Sequence, residues 1–174
     1  LLFILSNSYG IQPEGKHSQW RHSLNGHWKF KLISNIAEIE KNTTKHIKSE
    51  NFEWSTIMVP GNWEVQGYEE PRYGFPIDSI GAIYQKQFTV PDTWHDREII
   101  LYFEGVSFGF DLWVNEKKAG SFESAFQRSE FNITQYIVKD STNTLTLRVY
   151  RGHPQRSFDC NDAWALSGIY RDVY

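Results

Sequence analysis

Apolar and polar side chains alternate with a period of two along most of this chain, and hardly anywhere with the helical period of 3.6. From Leu24 to Leu32, Trp28, Phe30 and Leu32 fall on one side and His27, Lys29 and Lys31 on the other, after an Asn25-Gly26 turn signal. Phe108, Phe110, Leu112 and Val114 alternate with Gly109, Asp111 and Trp113, and Asn115-Glu116-Lys117-Lys118 turns the chain into 119–122 as a hairpin. Leu145, Leu147 and Val149 alternate with Thr144, Thr146, Arg148 and Tyr150. Shorter strands are predicted over 54–60, ended by Pro60-Gly61, over 82–90, stopped by Pro91, and over 98–103 and 168–174. Three stretches lack the alternation. Residues 34–52 are polar, with weak helical spacing around Ile36, Ile39 and Glu40. Residues 62–81 are rich in Pro and Gly, and 152–161 form a second polar loop. Long loops inside a compact domain usually carry function. Many short strands with turn signals predict an all-β sandwich. Periodicity alone leaves a jelly roll and an immunoglobulin-like sandwich equally open.

A length of 174 residues suits one domain with its own core. Aromatic residues make up 16% of the chain, which favours strands and carbohydrate-facing surfaces alike. The formal net charge of −3 offers nothing to a polyanion, so nucleic acid is not an expected partner. The single cysteine, Cys160, rules out an intrachain disulfide, and the six histidines show no zinc-ligand spacing. Residues 1–22 read as a lead-in. Its apolar start, Leu1 to Leu5, is too short to span a bilayer and is compatible with the remnant of a signal peptide. On that reading the protein is secreted or periplasmic, and otherwise cytoplasmic. Asn42 and Asn132 open Asn-x-Thr triplets, which matter only in a secretory eukaryote.

Six segments, in order, resemble the sugar-binding domain of glycoside hydrolase family 2, the family of the large β-galactosidases. They are Leu24-Asn-Gly-His-Trp-Lys-Phe30, the run from Trp54 to Tyr68 containing Val59-Pro-Gly-Asn-Trp-Glu64, Tyr84 to Pro91, Leu101 to Val106, Leu112-Trp-Val-Asn115, and Trp164-Ala-Leu-Ser-Gly-Ile-Tyr-Arg-Asp-Val173. The resemblance covers about residues 23–174. It implies a jelly-roll β-sandwich, galactose-binding-domain-like, at the N-terminus of a longer retaining exo-β-glycosidase. An immunoglobulin-like domain and a (β/α)₈ barrel would follow, with both catalytic glutamates on the barrel and so outside this chain. The substrate would be a β-glycoside or oligosaccharide, and the parent is free to assemble as a homo-oligomer. No cofactor is required for the chemistry; a monovalent cation (Na+) and Mg2+ are the ions the resemblance allows in the full enzyme.

The resemblance also marks site residues. Asp162, two residues before the closing motif's Trp164, is expected to reach the sugar's hydroxyls and to help hold the monovalent cation; a carboxylate suits both tasks as an acceptor and hard oxygen ligand. Asp159 and Asn161 beside it add acceptors. Trp164 either stacks on a sugar face or packs in the core. In the 68–81 loop, Pro71 and Tyr73 match the family's galactose-pocket run, but Gly74-Phe75 replaces its Thr-Asn pair; Asp78 is the substitute candidate for sugar contact. Arg171 and Asp172 read as structural, tying the last strand to a neighbour. Asn115-Glu116 reads as an exposed turn, although the family's acid/base carries the same dipeptide in its barrel. Glu116 replaces the usual Gly and puts the turn type in question. A stand-alone carbohydrate-binding module and a purely structural sandwich domain are the rival readings.

Overall fold

The computed structural model describes residues 18–35, 52–74, 79–94, 96–151 and 162–174. The weak helical spacing around Ile36–Glu40, the apolar start, and Asp78, Asp159, Cys160 and Asn161 lie outside the described residues. Ten strands form among those described: β1 (Gly26–Ile33), β2 (Ser55–Val59), β3 (Gly81–Phe88), β4 (Ile100–Phe103), β5 (Val106–Ser107), β6 (Phe110–Val114), β7 (Lys117–Phe122), β8 (Ser129–Asn132), β9 (Asn143–Tyr150) and β10 (Gly168–Ile169). Two short 3₁₀ turns, Asp92–Trp94 and Thr134–Tyr136, are the only helical turns among them. No helix in this set is long and apolar enough to cross a membrane.

One layer is a six-stranded antiparallel sheet in the order β2-β1-β3-β9-β6-β7; the other comprises the pairs β4-β8 and β5-β10. The period-two pattern decides which face is buried. Trp28 and Phe30 of β1, Ala82 and Tyr84 of β3, Phe110, Leu112 and Val114 of β6, and Leu145, Leu147 and Val149 of β9 all enter one core. Leu101 and Phe103 of β4, Val106, Ile169 and Val173 meet them from the second layer. The fold is the all-β sandwich that the alternation predicts.

The second layer is held by the chain's last residues. Gly61 N–H donates to the Ile169 carbonyl (2.8 Å) and Trp63 N–H to that of Ser167 (3.1 Å). On the other side, β10 pairs with β5. Further on, Tyr102 and Tyr174 exchange backbone bonds of 2.7 and 3.1 Å, and Leu24 N–H donates to the Val173 carbonyl (2.9 Å). The predicted final strand over 168–174 is therefore only two residues of regular ladder, followed by a bridge at Val173. Asn25-Gly26 forms no hairpin turn. Asn25 instead donates to Asp172 Oδ1 and accepts from Val173 N–H, both at 2.9 Å. Asp172, with Arg21 at 3.9 Å, is thus the tie expected of the closing Arg-Asp pair. Arg171 is exposed and lies over the Tyr170 ring at 5.1 Å.

The hairpin at Asn115-Glu116 is as read. Both residues have positive φ, 47° and 68°, so the turn keeps its left-handed centres with Glu at the second. Asn115 holds it in place, donating to the Tyr136 carbonyl (2.9 Å) and Asn143 Oδ1 (2.6 Å) and accepting from Thr144 N–H (2.9 Å).

On the outer face of the large sheet, Asp111 of β6 stands opposite Arg148 of β9. Arg148 donates to it at 2.6 Å, Lys118 reaches its other oxygen at 2.7 Å, and the Tyr150 hydroxyl also donates to it. Burial pushes the carboxyl up, but the bonds from Lys118, Tyr150 and Arg148 outweigh it and hold the group below its ordinary value. That stabilisation is complete above the unfolded pKa of about 3.9 and fades as pH falls through the lower folded value. Asp111→Asn is therefore expected to cost about 3 kcal/mol near neutrality, with the difference from wild type closing below about pH 4, as read by urea unfolding across pH.

Gly168 is the tightest point in the second layer. Its φ is +111°, and a Cβ there would sit 2.6 Å from the Tyr84 hydroxyl and 3.3 Å from the Gly61 carbonyl oxygen. Gly168→Ala is expected to lose roughly 2–4 kcal/mol, backbone strain and overpacking together, measured as a lowered urea midpoint at unchanged slope.

Candidate functional site

The Pro/Gly-rich loop and the closing motif meet at one end of the sandwich. Tyr73 and Trp164 form an isolated antiparallel bridge. Gly74 N–H donates to the Ala163 carbonyl (3.0 Å) and Ala165 N–H to that of Arg72 (2.8 Å). Gly74 takes φ +77°, a conformation that explains a glycine at this place in the loop. Asp162 also has positive φ, 55°, which Asp tolerates better than most residues.

This zipper brings three side chains together. The Tyr73 hydroxyl donates to Asp162 Oδ1. The Tyr73 and Trp164 rings meet edge to face, with centroids 5.6 Å apart and planes at 83°. That bond to the carboxylate is the main cause that raises the Tyr73 pKa, so the phenol stays protonated and keeps donating. Tyr73 is 59% exposed and Trp164 58%. Exposure on that scale overturns core packing as the place of Trp164. The indole meets the Tyr73 ring edge to face and stays largely open to solvent.

The group stands on a buried polar base. Glu64 accepts from Ser167 N–H through Oε2 (2.8 Å), and its other oxygen lies 3.9 Å from Arg151 Nη1, both side chains being fully buried. Asn62 Nδ2 donates to the Ser167 carbonyl at 3.3 Å. The Asn62-Trp63-Glu64 stretch thus grips the closing motif three residues beyond Trp164. Burial raises the Glu64 pKa against the lowering effect of the Ser167 amide and Arg151.

Of the site residues read from the sequence, the structure joins Asp162 and Trp164. It adds Tyr73, which the sequence offered only as a match in a loop run. It also adds Glu64 as a support. The signal available for Glu64 was its place directly after Trp63 in the run from Trp54 to Tyr68 that carries the resemblance. Among the described residues no group of three or more His, Cys, Asp or Glu could hold a metal ion.

Residues 21–174 match the sequence profile of the glycosyl hydrolases family 2 sugar binding domain, and the chain belongs to that family. It is 31% identical over 185 residues to a β-galactosidase of Priestia megaterium, covering 94% of this chain and 17% of the relative. With a β-galactosidase of Halalkalibacterium halodurans the identity is 34% over 176 residues, covering 88% and 17%. Among solved structures, a Bacteroides uniformis β-glucuronidase superposes with a TM-score of 0.66 at 25% identity, over 87% of this chain and 17% of that one. A Ruminococcus gnavus β-glucuronidase shares the fold, with a TM-score of 0.68 at 18% identity over 87% and 28%. The chain thus spans about a sixth of the length of these curated relatives.

Because the folded Glu64 pKa is raised, the ionised form is disfavoured in the fold. Wild type holds its full relative stability below about pH 4.3 and loses it as pH rises through the folded value. Glu64→Gln, which cannot ionise, is therefore expected to gain ground on wild type as pH rises from about 4 towards neutrality, read as the change in their stability difference across paired unfolding curves.

Proposed function

We propose that this chain is the N-terminal sugar-binding domain of a retaining exo-acting β-glycosidase of β-galactosidase type. Its part is to complete one wall of an active site whose catalytic glutamates stand on a barrel. The observation that carries the reading is the Tyr73–Asp162–Trp164 group, exposed at one end of the sandwich and rigidly based. A carboxylate fixed through one oxygen by a phenol is an oriented acceptor for sugar hydroxyls. An exposed indole beside it offers an apolar plane to the C–H face of a pyranose. The similar proteins are named β-galactosidases in sequence and β-glucuronidases in structure, which supports a β-glycoside as substrate. A carboxylate contact suits a neutral galactoside better than a uronate, whose own charge it would repel.

In the parent, hydrolysis with retention would need two carboxyl groups about 5 Å apart, one as nucleophile and one as acid/base. This chain's residues would bind and orient the non-reducing sugar against them, and the chain alone would be inactive. Asp162 is suited to give one oxygen ligand to a monovalent cation. A hard cation takes about six such ligands, so the others would have to come from elsewhere.

The test is Asp162→Asn in the full-length protein, assayed on chromogenic β-galactosides and β-glucuronides. The expected outcome is a fall in kcat/KM for the galactoside of about 10- to 100-fold, the worth of one charge-assisted hydrogen bond, with folding unchanged. Unchanged kinetics would remove Asp162 from the site and favour a structural sandwich domain. Sugar binding without any hydrolysis by the full-length protein would favour a carbohydrate-binding module.

A further inference from the structure

The outer face of the six-stranded sheet carries a feature that the Tyr73–Asp162–Trp164 site does not use. Asp111, Arg148 and Ser121 are cross-strand neighbours in one row over β9, β6 and β7. A register shift between Leu112 and Trp113 lets Lys118 return to the same face and reach Asp111. Arg148 Nε donates to the Tyr150 hydroxyl at 2.7 Å, which in turn donates to Asp111. Outward positions on a solvated sheet usually carry loose polar side chains. Here the Asp111 and Arg148 side chains are only 9% and 4% exposed.

This network borders a cavity of about 210 Å³ lined by Asp111, Lys118, Ser121, Glu123, Arg148 and Tyr150 beside two phenylalanines. It lies below the roughly 300–1,000 Å³ of a pocket for a drug-sized ligand, which leaves space on the scale of a single sugar ring. Two carboxylates and two cations cancel in its lining, so a phosphate or a carboxylate ligand gains no net attraction. The lining offers donors and acceptors together, with the hydroxyls of Ser121 and Tyr150 beside the charged groups. Half-buried Trp113 lies against the same cations, its ring 5.8 Å from Lys118 Nζ and 5.4 Å from the Arg148 guanidinium carbon. Mixed donors and acceptors with no net charge, next to an indole, suit a neutral polyhydroxylated ring.

We propose that this cavity is a second carbohydrate-binding site, for one neutral pyranose unit, separate from the Asp162 site and sharing none of its residues. It does not depend on the parent being a hydrolase. A saccharide chain could be held here while its end is presented elsewhere.

The test uses the full-length protein and two non-hydrolysed probes, methyl 1-thio-β-galactoside and methyl 1-thio-β-glucoside, with inorganic phosphate as control. Tryptophan fluorescence separates the sites, because Trp113 neighbours one and Trp164 the other. The expected result is a saturable emission change with a Kd on the order of millimolar that Trp113→Phe abolishes and Asp162→Asn leaves in place. Lys118→Met and Ser121→Leu, both at exposed strand positions, should each weaken it about tenfold or more, the effect of one lost hydrogen bond to a charged group or of a partly filled cavity. Loss of the signal in Asp162→Asn but not in Trp113→Phe would overturn the second site and leave the first standing. So would a Trp113 response to phosphate rather than to either sugar, or no Trp113 response at all.

Discussion

The interaction on which the rest of this structure depends is the pairing of the closing segment, Ser167 to Tyr174, with four separate stretches of chain. It bonds to Gly61 and Trp63 on one flank, to β5 and then β4 on the other, and to Leu24 and Asn25 at its end. Without it, the second layer is the pair β4-β8 and an unpaired β5, and an isolated pair of that size is at best marginally stable in water. With it, that layer becomes continuous and closes over the aromatic floor of the large sheet. Gly168 permits the approach because no side chain intervenes between its backbone and the Tyr84 hydroxyl.

The same segment positions the candidate site. Three residues before Ser167, the chain has already left the core and presents Trp164, and two before that, Asp162. Ser167 is gripped by Glu64, Asn62 and Trp63, so the exposed group is cantilevered from a buried anchor. A site built this way loses little freedom on binding, since Asp162 is already fixed by Tyr73. The fold's closure and the candidate site are therefore joined in one stretch of sequence.

Much of this was legible from pattern alone. Period two over β1, β6 and β9 named the inward residues, because a strand with one buried face leaves few alternatives; Phe108, read into the same run, lies before β6 and packs with Ala125 and Ala165 instead. The Asn115-Glu116 turn was legible from its flanking strands. What escaped was non-local. β5 and β8 are too short, and too mixed in polarity, for period to detect. Asn25 looked like a turn former, yet its amide serves Asp172 and Val173, 147 and 148 residues away. For Trp164 the sequence leaves a sugar face and the core open, and its place is set by a bridge to Tyr73 that no local pattern reveals. Asp162 was legible only through resemblance to a family, and its partner Tyr73 became visible once the two loops were seen side by side.

The most direct test of the account is a structure of the full-length protein with a non-hydrolysed β-galactoside bound. The account predicts the Asp162 carboxylate within about 2.6–3.2 Å of a sugar hydroxyl, with the pyranose lying against Trp164. A sugar seated in the catalytic pocket with no contact to residues 162–164 would contradict it.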